Sequence, residues 1–161
     1  MEIRTATHDD RDAVWALLEP VFRAGDTYAV DPDISCDAAL AYWIDAAAAC
    51  YVVVDADCVI GTYYIKTNQQ GGGAHVCNCG YIAGAQGRGV ATAMCEASQA
   101  QARNMGYRAM QFNLVLSSNT GAMRLWHKLG FETVGIIPQA FDHPSRGFVD
   151  AYVMFKQLAA I

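Results

Sequence analysis

The chain has 161 residues, with 11 Lys and Arg against 16 Asp and Glu, a formal charge of −5. At about 100–200 residues per domain this predicts one domain over 1–161, long enough to bury a core without staples; 53% hydrophobic and 17% charged residues exclude a disordered chain. The acidic balance argues against nucleic acid as a partner, and the longest apolar run, the nine residues Ala46 to Val54, is about half of the roughly 20 needed to span a bilayer.

The first predicted element is a strand at 2–6, and its alternating Met-Glu-Ile-Arg-Thr start contains no signal-peptide apolar stretch, so a cytoplasmic location is expected. Thr7 and Asp10 form a capping box for a helix over 8–23, where Val14, Leu17, Leu18, Val21 and Phe22 recur at helical spacing. A polar stretch containing Gly25, Asp31, Pro32 and Asp33 leads to a second helix over 36–48. Tyr51 to Val54 and Val59 to Ile65 are β-branched and aromatic and flank Asp55-Ala56-Asp57, a hairpin pattern. Gly71-Gly72-Gly73 reads as a loop before a strand at 75–82. A helix over 87–104 follows, with Val90, Met94, Ala97 and Gln101 along one stripe and Gly106 as its stop. Met110 to Leu116 is a strand, and Ala122, Leu125, Trp126 and Leu129 mark an amphipathic helix over 119–129 ended by Gly130. Strands at 132–137 and 149–156, joined by a Pro/Gly/His loop, complete the chain. The order β-α-α-β-β-β-α-β-α-β-β predicts an α/β (α+β) fold with a single mixed, mostly antiparallel sheet flanked by helices.

The six cysteines are read as reduced, buried thiols rather than a disulfide framework. Cys77-Asn78-Cys79 is spaced C-x-C and no paired knuckle or His/Cys cluster completes a zinc site, so no metal is expected.

The sharpest chemical signal is Gln86-Gly87-Arg88-Gly89-Val90-Ala91, placed after a strand and opening a helix. Glycines there let backbone N–H groups approach a ligand, and the helix N-terminus adds unpaired donors and a positive dipole end, a cradle for phosphate or pyrophosphate with Arg88 at its rim. A Walker loop is excluded because no Gly-Lys-Ser/Thr is present, and a dinucleotide fingerprint wants Gly or Ala where Thr92 stands. The pattern that fits is [Gln/Arg]-x-x-Gly-x-[Gly/Ala], through Gln86, Gly89 and Ala91.

Downstream lies Asn119-x-x-Ala122-x-x-Leu125-Trp126-x-x-x-Gly130-Phe131. Together with the glycine-rich segment, over residues 75 to 135, it resembles the GCN5-related N-acetyltransferase superfamily, and the remaining elements follow that superfamily's order. The resemblance implies an acetyl-CoA fold with acetyl-CoA as cosubstrate and a small-molecule amine as acceptor. It implies a pantetheine arm paired with the backbone of Tyr81, Ile82 and Ala83, and a pyrophosphate on the N–H groups of Gly87, Arg88, Gly89, Val90 and Ala91, with Gln86 also in the cofactor site. Asn119 falls on the motif asparagine that contacts the arm or fixes its loop, and also reads as an N-cap. Trp126 replaces the motif tyrosine; an indole N–H donates a hydrogen bond but is not a general acid. A thiolate with an ordinary pKa of about 8.5 is nonetheless a tolerable leaving group near neutral pH.

A wider set resembles the acetyltransferase group that includes the yeast L-azetidine-2-carboxylate N-acetyltransferase, where Trp at this position is the rule. The set comprises Asn78, Met110-Gln-Phe112-Asn113, Arg124-Leu-Trp126, Pro138, Ala140-Phe141 and Gly147 to Met154. Asparagine is poor in strand interiors, and an unpaired buried amide is costly, so Asn78 and Asn113 invite a ligand as partner. The resemblance implies that they hold a substrate carboxylate, while a backbone N–H at Tyr81 polarises the thioester. Tyr63 and Tyr64 alternate, so one faces the core and the other reaches the cleft. His75, His127, His143, Asp142 and Asp150 are weaker candidates, and the loop 138–148 is expected beside the acceptor. The alternatives are a peptide N-terminus, a lysine or an aminoglycoside as acceptor, or a non-catalytic acyl-CoA sensor. A homodimer is an open assembly, with the exposed C-terminal strand as its place.

Overall fold

The computed structural model describes residues 1–84 and 88–159. Among these residues are seven strands: β1 (Glu2–Thr5), β2 (Ala49–Asp55), β3 (Cys58–Thr67), β4 (Val76–Ala83), β5 (Ala109–Leu116), β6 (Glu132–His143) and β7 (Gly147–Gln157). They form one sheet in the order β1-β2-β3-β4-β5-β7-β6. Among the described residues four α-helices flank it: α1 (Arg11–Ala24), α2 (Cys36–Leu40), α3 (Val90–Asn104) and α4 (Thr120–Lys128). The mixed, mostly antiparallel sheet expected from the element order is present.

Each face of the sheet has its own core. Val14, Leu18 and Phe22 of α1, with Leu40 and Trp43, pack on Cys50, Val52, Tyr64 and Ile82. On the other face Val90, Met94, Cys95 and Ala102 of α3, with Trp126, pack on Tyr63, Cys77, Met110 and Met154. The buried stripe of α3 turns through Ser98 and Ala102, with Ala97 half-buried and packed against the same core; Gln101 accepts from the Tyr63 hydroxyl.

The Thr7–Asp10 capping box forms, but over a 3-10 turn at His8–Asp10 that precedes α1. Asp10 accepts from both Arg4 guanidinium nitrogens, at 2.7 and 2.8 Å, from Thr7 N at 2.7 Å and from the Thr7 hydroxyl at 2.9 Å. The hydrogen-bonded Arg4 holds the Asp10 carboxyl well below the usual carboxylate range, against the effect of burial. Because the folded-state value lies below the unfolded value of about 3.9, this stabilisation is complete above that pH and is lost as the pH falls through the folded value. Asp10→Asn is expected to cost roughly 2 kcal/mol at neutral pH, and the gap between the variant and wild-type urea midpoints should narrow in acid.

Three expectations about the elements need correction. The helix predicted over 36–48 is α-helical only to Leu40 and continues as a π-turn over Ala41–Asp45, which points Trp43 into the core. The predicted loop 138–148 is mostly strand: β6 and β7 pair out to Phe141↔Val149, Asp142↔Phe148 and His143↔Gly147, across an irregularity between Ile137 and Phe141. There Gln139 has φ 50 and its N–H donates to Asp150 Oδ1 at 2.9 Å, so a side chain replaces the missing ladder bond. Lastly, the C-terminal strand β7 is not an edge but lies between β5 and β6, and β6 carries the exposed Val134 and Ile136.

All six cysteines are free; Cys50, Cys77, Cys79 and Cys95 are buried, whereas Cys36 is half-buried and Cys58 exposed. Burial pushes the Cys50 and Cys95 thiols up to about 11, which leaves them protonated and inert at neutral pH. Among the described residues, no group of three or more His, Cys, Asp or Glu could hold a metal ion, and no helix is long and apolar enough to cross a membrane.

Candidate active site

The site follows from one break in the sheet. β4 and β5 are parallel neighbours, but they pair only at Val76↔Ala109 and Cys77↔Met110. Beyond that point they part, and a cavity of about 750 Å³ opens between them. Strand alternation decides which backbone groups of β4 face this gap. His75 O accepts from Arg108 N on the β5 side, while Gly84 N donates to Ile60 O on the β3 side. Odd-numbered residues therefore present their N–H and C=O to the gap, namely Cys79, Tyr81 and Ala83. Ile82, expected among the arm-pairing residues, has the opposite parity: it is the register partner of Thr62, and its side chain is buried in the α1 face.

The mouth of the gap is the N-terminus of α3. Gly89 is its N-cap with φ 72, and no side chain caps the helix. A Cβ built on Gly89 would meet nothing within 4 Å, so the space over these first N–H groups is open. Gly89, Val90 and Ala91 all line the cavity, and an anion placed there would receive unpaired backbone donors and the positive helix end. A thin chain with a phosphate at one end thus fits the residues present. Gln86 and Gly87 lie outside the described residues. Arg88 is turned from the expected rim position: it is ion-paired with Asp55, which also meets the N-terminal ammonium at 3.4 Å.

On the α3 and α4 side the wall is aromatic. Trp126 is both core and lining, 5.1 Å from the Tyr81 ring and 5.1 Å from the Phe112 ring between centroids. Tyr81 OH bonds Ser98 Oγ at 2.8 Å, and burial raises its pKa far above the ordinary tyrosine value. Asn119 caps α4 by accepting from Ala122 N at 3.2 Å, and it also lines the cavity.

On the opposite side the residues come from the loop between α1 and α2, the π-turn and β3. Tyr64 reaches the cavity while Tyr63 is buried in the α3 face, the division that alternation predicts. The Tyr64 ring lies against Gly80, where a Cβ would fall 2.5 Å from Cε1. Lys66 is half-buried, with its ammonium 3.9 Å from the Tyr42 ring centroid and 4.3 Å from that of Tyr64. Desolvation lowers its pKa.

Asn78 and Asn113 both line the cavity, one on each side of the split. The expectation of a buried, unpartnered amide fails for Asn113. A bulge between Phe112 and Val115 lifts it out of the ladder with β7. It is exposed, donates to Asn68 Oδ1 at 2.7 Å and accepts from Gln111 Nε2 at 3.0 Å. Asn78 is half-buried. His127 faces solvent. His143 lines a separate polar cavity of about 380 Å³ with Asp26, Ser118 and Arg146.

Sequence reasoning did not single out Thr27, Tyr28, Ala29, Tyr42 or Cys79 as lining residues. The Tyr28 hydroxyl donates to Tyr81 O and accepts from Tyr81 N, both at 2.9 Å. Nothing in the polar stretch around it predicts a contact 53 residues away.

The site is thus an α/β sheet split between β4 and β5, with a glycine-led helix at the mouth of the split. The sequence profile of the acetyltransferase (GNAT) family matches residues 11–131. The chain belongs to that family. It is similar to a GCN5-related N-acetyltransferase from Kribbella flavida, with 36% identity, a TM-score of 0.92, and 97% of this chain and 96% of that one covered. A phosphinothricin acetyltransferase from Sinorhizobium meliloti, solved in complex with acetyl-CoA, shares the fold at TM-score 0.86 and 18% identity, over 98% of this chain and 88% of that one. The N-acetyltransferase aca1 of Schizosaccharomyces pombe is 35% identical over 98 residues, 59% of this chain. The match spans about half of that relative, 47% of its length.

Proposed function

We propose that this chain is an acetyl-CoA-dependent N-acetyltransferase that transfers acetyl directly, in a ternary complex, to a small amino or imino acid such as L-azetidine-2-carboxylate. The reading takes residues 1–161 as one cytoplasmic acetyltransferase domain that engages neither nucleic acid nor membrane, with a homodimer as a further part of it. One observation carries the acceptor class: among the described residues, the lining of the main cavity contains no Asp, Glu, Lys, Arg or His, and its polar groups include Asn78 and Asn113 across the split. Neutral amide donors suit a carboxylate without neutralising it. A cleft without acidic groups also disfavours a bound ammonium, because burial penalises the charged form, so the acceptor enters as the neutral amine.

The chemistry follows from these groups. The pyrophosphate of acetyl-CoA rests on the N–H groups at the start of α3, and its arm runs along the odd-numbered backbone of β4, with Trp126 and Asn119 as walls. The acceptor nitrogen attacks the thioester carbonyl carbon, and a C–N bond forms as the oxygen gains negative charge. The backbone N–H of Tyr81, whose partner in the structure is the Tyr28 hydroxyl, turns to that oxygen when the cosubstrate is bound, with Cys79 of the same parity beside it. Collapse breaks the C–S bond, the thiolate leaves, and the nitrogen loses its proton to water. Asn78 and Asn113 orient the acceptor, and positioning supplies much of the rate.

An aminoglycoside acceptor finds no counter-charge in this cavity; Asp26 lines the smaller one, and Asp150 is engaged by Gln139. The test is release of CoA thiol from acetyl-CoA across a panel of imino acids, amino acids, polyamines, aminoglycosides and short peptides. Turnover is expected on small amino or imino acids. In Asn78→Ala and Asn113→Ala the acceptor KM should rise about tenfold or more, as for a lost hydrogen bond to a charged group, with the acetyl-CoA KM little changed. Turnover on cationic acceptors that survives both substitutions would overturn the acceptor assignment, and tight binding without turnover on any acceptor would indicate a sensor.

A further inference from the structure

The Tyr28 contact has a consequence for how the cleft is filled. Tyr28 lies in the segment between α1 and α2, and its neighbours Thr27 and Ala29 line the same cavity. Its ring is held edge-on by Phe22, at 5.8 Å between centroids, and by Trp43, at 5.7 Å. Its hydroxyl occupies the gap-facing edge of β4, accepting from Tyr81 N and donating to Tyr81 O at 2.9 Å each. Those are the two bonds that a neighbouring strand, or an amide-bearing ligand arm, would make with this residue. A single N–H and C=O pair cannot serve both partners at full strength.

We propose that Tyr28 is a positioning residue that takes the cosubstrate's place on Tyr81 in the free protein, and that acetyl-CoA displaces it, moving the 25–35 segment and completing the acceptor side only after acetyl-CoA has bound. This rests on the acetyl-CoA reading above. Tyr28 keeps an exposed strand edge satisfied until the ligand arrives, where an open edge would leave polar backbone groups unpaired. Burial raises its pKa above the ordinary tyrosine value, so the hydroxyl acts as a neutral donor and acceptor rather than as a proton source. The expected kinetic order is acetyl-CoA first, acceptor second.

Tyr28→Phe tests this, because it removes the hydroxyl and keeps the ring on Phe22 and Trp43. Calorimetric titration of wild type and variant with acetyl-CoA should show the variant binding about tenfold tighter or more, since the free state loses both hydrogen bonds to Tyr81 and the bound state loses none. Product-inhibition patterns should change from ordered in wild type to random in the variant. A structural lesion would weaken binding, so the sign separates the two roles. Equal or weaker binding by Tyr28→Phe, with wild type binding normally, overturns the proposal and leaves the acetyltransferase reading intact. No binding of acetyl-CoA by either protein overturns both.

Discussion

Trp43→Ala is expected to destabilise the fold by about 4 kcal/mol, the range of large-to-small aromatic substitutions in cores. Trp43 is fully buried. Its ring meets Tyr64 edge-on at 4.7 Å and Phe22 at 6.2 Å. Its indole N–H donates to Thr62 Oγ1 at 3.1 Å, and that hydroxyl donates on to Tyr51 O at 3.0 Å. Alanine removes the ring from the centre of the α1 face and leaves a fully buried threonine with one partner fewer. Trp43→Phe keeps most of the packing and should cost roughly half as much, the difference reporting the lost hydrogen bond and residual void. Urea midpoints measure both. Tyr28 and Tyr64, two lining residues, lean on this ring, so acceptor turnover should fall more than stability alone predicts. A loss below about 0.5 kcal/mol, the size of an ordinary surface effect, would mean that the aromatic cluster is not a core.

Gly89→Val is expected to raise the acetyl-CoA KM by at least about thirtyfold, some 2 kcal/mol, while changing the acceptor KM little. Two effects add. Gly89 has φ 72, a left-handed conformation that costs an L-residue roughly 1–2 kcal/mol and a β-branched one more. A side chain there also enters the open space over the α3 N-terminus, where the pyrophosphate is proposed to rest. Gly71→Ala is the control: it too has positive φ, 57, and a Cβ there would meet nothing within 4 Å, but it lies outside the cleft lining. It should lower the unfolding midpoint slightly and leave the acetyl-CoA KM unchanged. Equal KM effects in both variants would mean that backbone strain, not the cradle, controls binding.

Local pattern accounts for much of the fold. Asp55-Ala56-Asp57 between two β-branched runs makes a hairpin in which Ala56 and Asp57 carry the positive φ that a tight turn requires. Apolar spacing marks α1 and α4, and glycines mark the ends of α1, α3 and α4. Local pattern misplaces the β6–β7 ribbon, because Pro138 and Gly147 read as loop. Proline is tolerated on an edge strand or at a bulge, and β6 is both the edge and the bulged strand.

The sequence by itself determined the element order, the glycine-led helix start and the two motif segments that carry the family, because each rests on residues within a few positions of one another. Only the tertiary structure decided what the candidate site residues touch. Tyr28 reaches Tyr81 across 53 positions, Asn113 takes Asn68 across 45, and Arg88 leaves the cleft for Asp55 across 33. These pairs form because the sheet brings distant strands side by side and its split leaves one edge of β4 to be satisfied from elsewhere, and neither fact has a local periodicity to announce it.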